Sequence, residues 1–232
     1  MATEYFVKLW DNNIIQLGIW QTVYMTALTT IFAYLIGLPL GVLMVAGEQG
    51  GVMPLPRPVM AVLNFVINIL RSVPFLILMV LVIPLSRLII GTSIGTVATI
   101  IPLIVAAFPF VARLVEASIR EVDKGVVEAA QSMGCSPFQI IAKVLIPESR
   151  PSLMSGFTTA FITILSYGAM AGAIGGGGLG AMSLNLGYQR RMQIILWVSV
   201  VVLVILVQIF QSVGTHATVR LDKRIPAKAR RK

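Results

Sequence analysis

Charge is scarce in this 232-residue chain, and negative charge is scarcest: nine Asp and Glu stand against eighteen Lys and Arg. Charged residues make up 12% and hydrophobic ones 57%, in several long uncharged runs, which marks an integral membrane protein. The acidic residues (Glu4, Asp11, Glu48, Glu116, Glu121, Asp123, Glu128, Glu148 and Asp222) fall outside every expected span core. That counts against a proton-coupled carrier, which uses intramembrane carboxylates as relays. No paired carboxylates and no Ser/His/Asp set are present, which counts against an intramembrane hydrolase. No G-x-x-x-x-G-K-[ST] occurs, so the chain is not expected to bind or hydrolyse ATP itself. The lone Cys135 excludes an internal disulfide, and the lone His216, at a span end, has no partners for a metal. Neither a cofactor nor a catalytic residue is expected. The net charge of +9 comes without interleaved aromatic and basic residues, so no nucleic-acid partner is expected.

What remains is apolar, and it divides into an all-α polytopic protein with five expected transmembrane helices: about 17–46, 59–85, 94–112, 151–174 and 194–213. The first apolar stretch is too long for a signal-peptide core and follows a single Lys8, so it reads as an uncleaved span. Tyr5, Trp10 and Trp20 suit a membrane interface. Pro39 between Gly37 and Gly41 points to a bend or a close helix approach. Arg71 is the one ionisable group within a span; it reads either as a functional intramembrane charge or as snorkelling or capping carbonyls freed by Pro74. The 113–150 loop and the basic tail, 214–232, are expected on one side of the membrane. With that loop inside, Arg57, Arg113, Arg120, Lys124, Lys143, Arg150 and seven tail residues give thirteen inside cations. Four remain outside: Lys8, Arg87, Arg190 and Arg191. The asymmetry places the N-terminus out and the C-terminus in.

The 120–147 stretch, REVDKGVVEAAQSMGCSPFQIIAKVLIP, is the longest part that is neither span nor tail. It reads as two short helices. Asp123 N-caps the first, whose Val126, Val127, Ala130 and Met133 share a face away from Lys124, Glu128 and Gln131. Gly134 suits a left-handed stop. Ser136-Pro137-Phe138-Gln139 has the residues of a capping box with proline at the first helical position. Pro147 marks the expected end of the second helix.

Glu128-Ala129-Ala130, three residues, Gly134, nine residues and then Val144-Leu145-Ile146-Pro147 resembles the EAA loop of ATP-binding-cassette importer permeases, with Val144 and Ile146 replacing Ile and Leu. The resemblance implies a coupling helix on the cytoplasmic side, with Glu128, Ala129, Ala130, Met133 and Gly134 docking into a separate ATPase. Three more stretches are similar to the methionine-uptake permeases of bacteria: Asn68 to Phe75 (NILRSVPF), Leu88 to Gly95 (LIIGTSIG) and Ala173 to Gly180 (AIGGGGLG). The likeness covers nearly the whole chain except the tail. It implies a single permease domain, 1–232, in a bacterial inner membrane, working as a homodimer with two cytoplasmic ABC ATPase subunits. An extracytoplasmic binding lipoprotein would deliver L- or D-methionine, and transport would proceed by alternating access.

Gly175-x-Gly177-x-x-Gly180 matches a dinucleotide fingerprint in form only, because a membrane span rather than a strand precedes it. Gly175, Gly178 and Gly180 read either as a tightly packed break or as a gate or hinge on the substrate route. Tyr167 and Met170, about one turn apart, could offer an aromatic ring and a thioether to substrate, or could pack between spans. The alternatives are the same architecture importing another amino acid or small solute, or a self-contained channel or secondary carrier. Dependence on an ATPase separates the two classes.

Overall fold

The computed structural model describes residues 13–222. These are helical nearly throughout: α1 Ile14–Ala46, α2 Arg57–Ser72, α3 Phe75–Ile90, α4 Thr96–Arg120, α5 Lys124–Ser132 and α6 Pro137–Ile140 come first. Then follow α7 Ile146–Glu148, α8 Arg150–Ala171, α9 Gly178–Met182 and α10 Gln193–Leu221. Two π segments (Ile141–Leu145, Ser183–Gln189) and a 3-10 turn (Gly172–Ile174) join them. Among the described residues, four helices (α1, α4, α8 with its 3-10 extension, and α10) are long and apolar enough to cross a membrane. The pair α2 and α3 adds a fifth if counted as one broken span. The protein is an all-α, multi-pass membrane protein. Tyr5, Trp10, Lys8 and the tail beyond Asp222 lie outside the described residues.

Three expected elements take a different form. The span expected at 59–85 is two helices of 16 residues each, separated at Val73-Pro74. Proline lacks the N–H that would continue α2, and it disfavours helical backbone in the residue before it. Pro74 is extended (φ −54°, ψ 134°), and its carbonyl accepts from Leu78 N–H to open α3. Arg71 sits in the last turn of α2, exposed, where a cation complements the helix dipole. The helix of the span expected to end at about 112 continues to Arg120, because Arg113, Glu116 and Arg120 neutralise one another along the helix rather than break it. The last helix runs on to Leu221, carrying His216 on it, exposed. Pro39, Pro102 and Pro109 do not interrupt their helices.

The chain divides into two compact units. One comprises Met1–Ala33, Val73–Ala107 and Phe161–Phe210. Its described core holds two clusters, Ile15, Leu179, Met182 and Ile195, and Met25, Met79, Ile100, Leu103 and Ala171. The other comprises Tyr34–Ser72, Phe108–Ala160 and Gln211–Lys232, with Met44, Ile67 and Ala112 in its core. There α1 and α4 touch backbone to side chain: a Cβ on Gly37 would stand 2.8 Å from Val111 Cγ1, and one on Gly41 2.5 Å from the Ala112 carbonyl oxygen. Of the two readings of Gly37 and Gly41, close approach is the one observed.

Candidate functional site

The site begins with local capping chemistry in the second unit. Asp123 is extended and its Oδ1 accepts from Gly125 N–H at 2.7 Å, starting α5. At the other end Gly134 has φ 77°, Gly134 N–H reaches Gln131 O at 2.9 Å, and Cys135 N–H reaches Ala130 O at 3.2 Å. These paired bonds are a Schellman stop, which needs the left-handed residue glycine supplies. Ser136 and Gln139 exchange side-chain-to-backbone bonds in a full capping box, with Pro137 in the first turn of α6. The second helix does not end at Pro147. A π turn, closed by Ile146 N–H to Ile141 O, precedes the proline, and the chain stays helical to Glu148. Widening the turn absorbs the hydrogen bond that proline cannot make.

Both helices of the hairpin are therefore fixed at their ends, and each buries one apolar residue, Ala130 and Ile140, while leaving others facing outward. Ala130 is buried and Val127 half-buried, but Val126 (45% exposed), Met133 (76%) and Phe138 (77%) are open. Glu128 and Ala129 are exposed on α5. The face expected to be apolar is thus mostly uncovered in the single chain. A cavity of about 530 Å3 lies beside it, lined on one side by Lys124, Glu128 and Gln131 and on the other by Glu48 and Gln49 of the α1–α2 turn.

Next to this hairpin is a charge lattice that sequence reasoning missed. Glu116 is nearly buried, with its side chain 10% exposed. One oxygen accepts from Arg113 Nη1 at 2.6 Å, the other from Arg120 Nη2 at 2.9 Å and Nε at 3.2 Å. Arg120 also grips Glu48 with both Nη groups, one contact being 3.0 Å. Arg113 Nη2 donates to Asn68 Oδ1 at 2.7 Å and to Asn64 Oδ1 at 3.1 Å, while the Asn64 amide nitrogen donates to Met60 O. The i,i+3 and i,i+4 spacing of Arg113, Glu116 and Arg120 carried half of this signal. Glu48, Asn64 and Asn68 carried none, lying 45 to 72 residues away.

The remaining predicted residues lie in the other unit. Gly175 and Gly178 have φ 89° and 82°, and a Cβ on Gly180 would meet Ala169 O at 2.3 Å. The run is held by Gly178 N–H to Gln21 Oε1 at 2.9 Å, Leu179 N–H to Thr22 Oγ1 at 2.8 Å and Gly95 N–H to Gly175 O at 2.9 Å. It is a packed and bonded corner. Tyr167 stacks on Phe75, centroids 3.9 Å apart, and belongs to the Met25–Met79 cluster, whereas Met170 is exposed. No group of three or more potential metal ligands occurs among the described residues.

Apolar crossing helices with a capped hairpin between two of them define a multi-pass membrane protein, and the similarity to known permeases makes it a membrane transport subunit rather than an enzyme. The chain belongs to the family of binding-protein-dependent transport system inner membrane components, whose profile matches residues 37–225. It is 46% identical over 214 residues to a probable D-methionine transport system permease of Vibrio cholerae, covering 92% of this chain and 95% of that one. To the D-methionine transport system permease of Escherichia coli K12 it is 44% identical over 155 residues, 67% of this chain and 71% of that one. Among solved structures it resembles an inward-facing MetNI methionine ABC transporter with a TM-score of 0.86 and 40% identity, covering 89% of this chain and 95% of that chain.

Proposed function

We propose that this chain is the methionine-translocating permease subunit of an ATP-driven importer. Two copies line one pathway, two ABC ATPase subunits dock from the cytoplasm, and an outer binding lipoprotein delivers L- or D-methionine. The chain sits with its N-terminus outside and its C-terminus and hairpin inside. The observation that carries the reading is the hairpin: capped short helices anchored by buried Ala130 and Ile140, with Met133 and Phe138 more than three-quarters exposed. Apolar surface on a rigid element between spans is surface for a protein partner. In this role Glu128, Ala129, Ala130, Met133 and Gly134 form the docking segment, and alternating access follows ATP binding and release.

On the same reading the corner at Gly175, Gly178 and Gly180 gates the pathway as a rigid piece, since its bonds to Gln21 and Thr22 leave little slack. Tyr167 and Met170 remain candidates for substrate contact, Met170 the more accessible.

Uptake of labelled methionine in cells lacking this chain, restored with and without its ATPase, tests the proposal. Uptake should need both proteins, and only methionine analogues should compete. Competition by another solute would keep the architecture and remove methionine; uptake without the ATPase would remove the coupling reading. Glu128 is exposed, so Glu128→Lys should leave the fold within about 0.5 kcal/mol of the parent. It should abolish uptake while the permease still accumulates in the membrane. Met170→Ala should raise the apparent KM for methionine severalfold; unchanged KM and rate would strike Met170 from the pathway.

A further inference from the structure

The charge lattice does more than close off Glu116. Arg120 is the last residue of α4, and only Glu121, Val122 and Asp123 separate it from α5, with Val122 N–H bonded back to Ile119 O. A displacement of α5 reaches Arg120 through a three-residue connection with little slack. Arg120 holds Glu48, just past the end of α1, in a two-pronged contact that fixes direction as well as distance. At the far side of Glu116, two turns back along α4, Arg113 holds two amides one turn apart on α2. The Asn64 amide is itself oriented by its bond to Met60 O. The end of α1, the second half of α2 and the last turns of α4 are thus tied together by one hub, and the cavity between the Glu48 turn and α5 leaves room for travel.

We infer that Glu48, Arg113, Glu116 and Arg120 are positioning residues that convert movement of the α5–α6 hairpin into joint movement of α1, α2 and α4. The inference rests on the coupling role proposed for that hairpin. A merely stabilising lattice and a transmitting one differ in a measurable way. Loss of stability lowers transport and hydrolysis together, whereas loss of transmission lets ATP be spent without transport.

The test uses the intact complex of permease, ATPase and binding protein in liposomes, measuring ATP hydrolysed per methionine imported. Glu48→Gln keeps the shape and removes the charge; Arg120→Lys keeps the charge and removes the two-pronged grip; Glu48→Asp is the conservative control. Glu48→Gln and Arg120→Lys should each raise the ratio at least threefold with ATPase still bound in the parent stoichiometry, and Glu48→Asp should return it most of the way. An unchanged ratio in the assembled Arg120→Lys complex overturns the inference, even if Glu48→Gln fails to assemble. So does a parallel fall in hydrolysis and uptake in every variant. Glu128→Lys, run alongside, separates the two claims. If it uncouples and the lattice variants do not, only the lattice inference falls; if it leaves uptake intact, the hairpin reading falls with it.

Discussion

A single methyl group at Gly41 would meet two immovable neighbours. Its Cβ would lie 2.5 Å from a backbone oxygen of α4 and 2.6 Å from Val115 Cβ, and neither can turn aside as a flexible side-chain end can. Gly41→Ala should therefore push α1 and α4 apart at a cost of about 1–3 kcal/mol, the usual scale of overpacking. Thermal unfolding of the detergent-solubilised protein reads this directly, and an unaltered midpoint would show that the crossing tolerates the added methyl. Gly134 makes the opposite case, with open space around it but φ 77°. Gly134→Ala should cost roughly 1–2 kcal/mol through backbone strain alone, seen as faster amide exchange in α5 with the spans unaffected. Residues whose roles are local were legible in the sequence: Asp123, Gly134, Ser136 and Gln139 act within a few positions of themselves. Glu116 was not, because its burial depends on Arg113 and Arg120 being drawn into a helix longer than hydropathy alone marks.

Among the elements, the hairpin and the broken pair α2/α3 show where pattern reading works and where it stops. Capping signals define short helices well because each bond is a short-range event. α6 has only four regular residues before its π turn, so its start depends heavily on Ser136. Ser136→Ala should cost about 1 kcal/mol and loosen protection of residues 137–145 in hydrogen exchange; equal protection would mean that the following turns hold the helix unaided. Prolines were harder to read. Pro39, Pro102 and Pro109 pass through helices, whereas Pro74 opens a new one, and all four lie in apolar stretches. Composition does not separate a hinge from a packed break at the glycine corner, because Gln21 and Thr22, 157 residues earlier, supply the bonds that pin it.

For the whole molecule the open question is orientation, and the chain carries its own reporter. α10 presents Trp197, Val201, Ile205 and Ile209 outward at four-residue spacing, a stripe for lipid tails that fits either orientation. The basic asymmetry, thirteen cations against four, argues for the hairpin inside. Cys135 is the single cysteine of the chain, free and half-buried, and it lies at the turn of that hairpin. A membrane-impermeant maleimide should therefore label the unmodified protein in inside-out vesicles and leave it unlabelled in intact spheroplasts. Because Cys135 stands between Met133 and Phe138, the same reagent also reports docking: ATPase bound to the vesicles should slow labelling severalfold. Labelling from the spheroplast side would invert the topology and put the hairpin out of reach of any cytoplasmic ATPase. Labelling from inside at a rate indifferent to ATPase would keep the topology and move the docking surface elsewhere, leaving the exposure of Met133 and Phe138 without an occupant.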